Sequence, residues 1–160
     1  MSQANHTPLH PEKILLPLDF SASSETALAT ATEFAQHFQS HLVLLHIVPI
    51  LPIISADEYS SSYFPQQEFL EAARKRAVDQ LATCVHHLAG MGVQTTSLVE
   101  IGNDVVGNIL MVMEREHVDM IIISTHGLSG WRPAIFGSIA EKVIRLVECP
   151  ILLLRTKKTT

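Results

Sequence analysis

The chain has 160 residues, 47% of them hydrophobic and 17% charged, with a formal net charge of −5. That length and balance suit one packed domain and exclude a disordered chain, while the acidic surplus argues against nucleic acid, which is gripped by basic surface. Apolar runs such as Met120-Ile121-Ile122-Ile123 are too short to cross a bilayer, and MSQANHTPLH has neither the cationic start nor the apolar core of a secretion signal, so the expectation is a cytoplasmic protein without membrane attachment.

Along the chain, short apolar runs alternate with helical periodicity. Residues 13–18 read as a buried strand, and Ser21, Ser23 and Ser24 form a polar cluster that starts a helix. That helix carries Ala27, Leu28, Ala31, Phe34, Ala35 and Phe38 on one face. Residues 42–48 form a second strand. An irregular connection at 49–67 holds three prolines and exceeds the usual loop length, which marks it as mobile or functional. The next helix places Leu70, Ala73, Ala77, Leu81, Cys84 and Leu88 on a stripe and stops at Gly90 and Gly92.

Residues 93–99 make a more polar strand, suited to a sheet edge. Gly102-Asn103-Asp104 then turns the chain and caps a third helix whose core face is Val106, Ile109, Leu110 and Met113. A fourth strand spans 118–124. The last helix turns Ala140, Val143, Ile144 and Val147 inward, Pro150 prevents its continuation, and Ile151–Leu154 is the final strand. Strict alternation of this kind predicts a single α/β domain with a doubly wound, five-stranded parallel sheet and helices on both faces, Rossmann-like, over 12–155, with tails at 1–11 and 156–160. Cys84 and Cys149 sit in apolar sequence and read as free, small hydrophobes, in keeping with a reducing compartment.

The most informative segment is Ser124-Thr125-His126-Gly127, nine further residues, then Gly137-Ser138 at the start of a helix. A helix N-terminus offers unpaired N–H groups and a partial positive charge to phosphate oxygens. Gly137 lets the backbone approach a ligand that a Cβ would strike, and Ser138 adds a hydroxyl. An ordinary strand–loop–helix connection, with glycines serving only the turn, is the other reading. The segment is neither a P-loop nor a dinucleotide Gly-x-Gly-x-x-Gly.

With Ala140-Glu141-Lys142-Val143 and Cys149-Pro150-Ile151-Leu152-Leu153 behind it, this segment resembles the C-terminal signature of universal stress proteins. Lys13-Ile14-Leu15-Leu16-Pro17-Leu18-Asp19-Phe20-Ser21 resembles the family's first strand and turn, Leu44-Leu45-His46-Ile47-Val48 its second strand, and Val118-Asp119-Met120-Ile121-Ile122 its fourth. The resemblance implies strand order 3-2-1-4-5 and an adenine-nucleotide site (ATP, or AMP or ADP) in the crevice where that order reverses. By position, Asp19 would accept a hydrogen bond from the adenine amine or cap the following helix, with Pro17 and Leu18 shaping the turn. Ile47 would pack on the base, while His126, Gly127, Gly137, Ser138 and Ile139 would surround ribose and phosphates. Ser124 replaces the first glycine of the family's Gly-x2-Gly-x9-Gly motif; its hydroxyl can donate to the ligand, or its side chain can narrow the pocket. Arg132 is placed to reach a phosphate or to remain solvated, and Trp131 to cover the site or meet a subunit.

His86 and His87 point to different sides of a helix, and His41 and His46 to opposite faces of a strand, so no protein metal site is expected. Any Mg²⁺ would be held chiefly by the nucleotide's phosphates. No lysine in the loop, acidic pair or general base suggests a dedicated phosphoryl-transfer enzyme, so no catalytic residue is assigned and hydrolysis would be slow at most. The resemblance also implies a homodimer through the last strand, Ile151–Leu154, and a nucleotide-occupancy switch acting on an unidentified protein partner in the stress response. The alternative is a dimeric interaction protein of the same fold with an empty pocket.

Overall fold

In the computed structural model, which describes residues 9–50, 66–125 and 137–155, the expected alternation is realised. The order is β1 (Lys13–Pro17), α1 (Ala22–Phe38), β2 (His41–Val48), α2 (Gln66–Gly90), β3 (Thr95–Ile101), α3 (Val105–Glu116), β4 (Met120–Ser124), α4 (Ser138–Leu146) and β5 (Ile151–Leu154). All strand pairs are parallel, in the order β3-β2-β1-β4-β5. No described helix is long and apolar enough to cross a membrane.

The apolar runs become strands buried on both faces, because side chains alternate across a sheet and parallel sheets carry helices on each side. Ile14, Leu16, Leu42, Leu44, Met120 and Ile122 meet Ala27, Ala31 and Ala35 of α1 and Leu81 and Leu88 of α2. Their neighbours Leu15, Val43, Leu45, Ile121 and Ile123 meet Val106, Ile109 and Val112 of α3 and Ala140 and Val143 of α4. At the lower end of the sheet, the Asp119 carboxylate accepts the backbone N–H groups of Glu12 and Lys13, while Asp119 N donates to Lys13 O. This ties the starts of β1 and β4 together.

Two strands begin later than the sequence suggests, for one reason. After α2 the chain turns at Gly92 (φ +77°), and Val93 N donates back to Leu88 O, so this amide closes the helix and β3 starts at Thr95. After α3, His117 takes φ +54° and Val118 N donates to Met113 O, so β4 starts at Met120. The polar strand β3 is indeed an edge. In α4, Ile144 does not face in: it is 39% exposed, at the flank of the buried stripe of Ala140 and Val143. Of the connection expected at 49–67, residues 51–65 lie outside the described residues. Cys84 and Cys149 are both free, and burial raises both thiols above their ordinary pKa.

His41 opens β2 and its Nε2 lies 2.7 Å from Thr96 Oγ1 on β3. Burial, and then the positive charge of Lys13, lower its pKa below the ordinary 6.5, against a smaller upward pull from Glu116. The unfolded chain therefore takes up this proton first, so stability contributed by neutral His41 is complete above about pH 6.5 and is lost as pH falls toward the lowered folded value. Urea midpoints measured from pH 7.5 to 5 should fall more steeply for the native chain than for His41→Gln; parallel profiles would show that His41 is not linked to folding.

Candidate functional site

The upper end of β1 is shaped by a proline. Leu18 N donates to Leu45 O on β2 at 2.8 Å, and Lys13 O accepts from Asp119 N beside β4, so odd-numbered residues of β1 present their backbone groups to β4. Pro17 has no N–H to offer on that side. β1 and β4 pair only at Ile14↔Met120 and Leu15↔Ile121, whereas β1 and β2 stay paired to Pro17↔Leu45 and β4 and β5 to Ser124↔Leu154. The hydrogen-bonded ladder between β1 and β4 thus ends early, at the point where the strand order reverses.

Beyond Pro17 the chain makes a tight turn. Asp19 Oδ1 accepts from Ser21 N at 3.0 Å and from Ser21 Oγ. Ser21 is the residue that caps α1, its Oγ accepting from Ser24 N at 3.3 Å; Asp19 stands one step behind and braces the cap. Between them Phe20 has φ +59°, a left-handed conformation that costs a bulky residue about 1–3 kcal/mol. Its ring lies against the His46 imidazole, centroids 4.6 Å apart, and His46 Nδ1 is 2.7 Å from Leu18 O.

On the other side, Thr125 is buried, its N–H donating to Leu154 O and its carbonyl accepting from Gly137 N at 2.8 Å. Gly137 is the N-cap of α4 and gives it no side-chain cap, unlike Ser21 on α1 and Asp104 on α3. Gly137 has φ −66°, open to any residue, yet a Cβ there would sit 2.7 Å from Thr125 O. The demand for glycine therefore comes from the protein's own backbone, not only from a ligand as the sequence suggested.

These ends enclose a cavity of about 260 Å³. Of the residues expected at the site, Pro17, Leu18, Asp19, Ile47, Ser124, Gly137, Ser138 and Ile139 all line it. His126, Gly127, Arg132 and Trp131 lie outside the described residues. Sequence reasoning missed Ser24, Leu45, His46, Val105, Ile109, Ile123, Thr125 and Ala140 as lining residues. Strand alternation puts Leu45 on the face of Ile47, and that signal was available; nothing in one sequence singles out Val105. Apolar side chains of β2, α3 and β4 form the walls, with polar groups from the β1–α1 turn at one end and from β4 and α4 at the other. An apolar slot with few, convergent polar groups and an uncapped helix N-terminus suits a flat base joined to an anion.

The family model described as the universal stress protein family matches residues 11–155. Universal stress protein YxiE of Bacillus subtilis is 27% identical over 146 residues, covering 89% of this chain and 98% of its own. Universal stress protein MJ0577 of Methanocaldococcus jannaschii is 25% identical over 158 residues, covering 92% and 97%. The solved structure of MJ0577 superposes with a TM-score of 0.79, covering 94% of this chain and all of the other at 26% identity. An Arabidopsis thaliana universal stress protein family structure with AMP bound shares the fold at a TM-score of 0.61 and 16% identity, covering 92% of this chain and 94% of the other.

Gly137→Ala should destabilise the ligand-free protein by about 1–3 kcal/mol in urea, because the new methyl overpacks a backbone carbonyl. Unchanged stability would mean that the Thr125 carbonyl yields freely and that glycine is not required there for packing.

Proposed function

The chain belongs to the universal stress protein family, and on that premise we propose that it binds an adenine nucleotide, ATP with Mg²⁺ foremost, in the crevice between β1 and β4. The observation that carries this reading is the placement of Asp19 and the uncapped N-terminus of α4 on one apolar slot. Asp19 accepts from the adenine amine, Ile47 packs on the base, and the first turn of α4 with Ser138 meets the phosphates. Ser124, His126, Gly127, Ile139 and Arg132 belong to the ribose and phosphate side by their place in the sequence. Mg²⁺ would be held by phosphate oxygens and water. The AMP carried by the Arabidopsis protein of the same fold supports the ligand class. Occupancy is the output in this reading, sensed by a protein partner during stress. The free thiols suit a reducing cytoplasm.

Protein shown by mass spectrometry to be free of nucleotide should bind MgATP at about one per chain by calorimetry, and GTP more weakly. Asp19→Asn keeps an oxygen for Ser21 but loses the charge, and should weaken ATP about tenfold, or 1.4 kcal/mol. Titration of the native chain without heat or saturation up to millimolar ATP would overturn the reading, and ADP release keeping pace with binding would replace occupancy by turnover.

The second part of the proposal is a homodimer through β5. All four residues of this edge strand are partly exposed, and beside it Leu146 of α4 is 58% exposed. Pro150 O and Leu154 O both accept from β4, so Leu153 directs its N–H outward. Leu153→Pro therefore removes an edge donor without touching the β4 ladder, and should convert a dimer into a monomer in sedimentation equilibrium. A native chain that sediments as a monomer would remove the dimer.

A further inference from the structure

His46 was set aside in the sequence as an unsuitable metal ligand, yet it stands where the site is held together. The Leu18 carbonyl can only accept, so the short contact requires the proton on His46 Nδ1. Leu18 is thereby gripped twice by β2, its N–H by Leu45 O and its C=O by His46. The face of the same imidazole lies against Phe20, the residue with the left-handed backbone. A strained turn persists only where its surroundings determine it from several sides, and here they do so on either side of Asp19. The far anchor of the turn is Ser21, bonded to Asp19 and capping α1.

We propose that His46 is the positioning residue of the crevice: its hydrogen bond to Leu18 and its contact with Phe20 hold the β1–α1 turn in the one conformation that presents Asp19 to the base of a bound nucleotide. The effect on binding rests on the adenine-nucleotide reading above; the effect on the turn does not. His46 touches the cavity, and through Nδ1 it holds the turn that carries Asp19, so its effect on a ligand runs through Asp19.

Two substitutions separate its contributions. His46→Phe keeps a ring against Phe20 and loses the donor, whereas His46→Asn places an amide N–H near the same carbonyl. Amide hydrogen exchange in the nucleotide-free protein reads the turn at Ser21, with Ile109 in the opposite core as the control for global stability. Exchange at Ser21 should rise about tenfold in His46→Phe with Ile109 unchanged, and fall back toward the native rate in His46→Asn. MgATP affinity measured by calorimetry should follow the same order, about tenfold weaker in His46→Phe and partly restored in His46→Asn. Exchange at Ser21 that stays at the native rate in His46→Phe, or rises only together with Ile109, overturns the positioning role. Faster exchange with unaltered ATP affinity overturns the link to the ligand. If the native chain binds no ATP, the exchange data still decide what His46 does to the turn, and only the reading of the ligand falls.

Discussion

Proline lacks an amide hydrogen, and at position 17 the missing hydrogen is the one that would have continued the ladder from β1 to β4. In a five-stranded parallel sheet the central pair would otherwise zip to its carboxyl end, as β2 does with β3 through Val48↔Ile101. Here β1 and β4 share two hydrogen-bonded positions, while the outer ladders run on. The ladder ends early where the strand order reverses, the place at which a doubly wound sheet leaves a crevice. The packing beneath is continuous, because both faces of the sheet are covered and the lower ends of β1 and β4 are fastened through Asp119.

The N-termini of α1, α3 and α4 meet the same problem in different ways. Ser21 caps α1 and Asp104 caps α3, each meeting an orphan N–H with its own side chain. Glycine in place of a capping side chain costs a helix only about a few tenths of a kcal/mol, and α4 has glycine there, where it borders the cavity. Glycine at its N-cap is forced by the Thr125 carbonyl, which leaves no room for a Cβ and therefore none for a capping hydroxyl. One backbone contact thus explains both the glycine and the missing N-cap side chain. An anion is a natural complement to such a helix start.

Much of this was legible in the residues, because the signals are local. Alternation of apolar runs and 3.6-residue stripes sets the order of elements, and Ser21 and Asp104 mark helix starts by chemistry alone. The strand order came from the resemblance, not from periodicity. What was hidden depends on who claims a given amide: Val93 and Val118 look like strand residues, yet their N–H groups close the preceding helices. Ile144 fits the apolar stripe of α4, yet it stays exposed at the flank of Ala140 and Val143, which periodicity alone does not reveal. Ser124, the departure from the family motif, lines the cavity and pairs with Leu154 on β5, so it also serves the sheet. His46 is invisible in one dimension, since its partners Leu18 and Phe20 lie on another strand and its turn.

The polar groups that line the cavity brace one another. Of the two titratable side chains among the described lining residues, Asp19 already accepts from Ser21, and His46 has committed Nδ1 to a carbonyl. Ser24 donates its hydroxyl to Ser21 O. These bonds brace the turn around Phe20, so the cavity is stiff where Asp19 stands on a strained but braced turn. Across the cavity, α4 begins at Gly137, an N-cap that has no side chain with which to meet the first N–H groups of the helix. Under the proposed reading, a nucleotide would bridge these two places with its base and its phosphates.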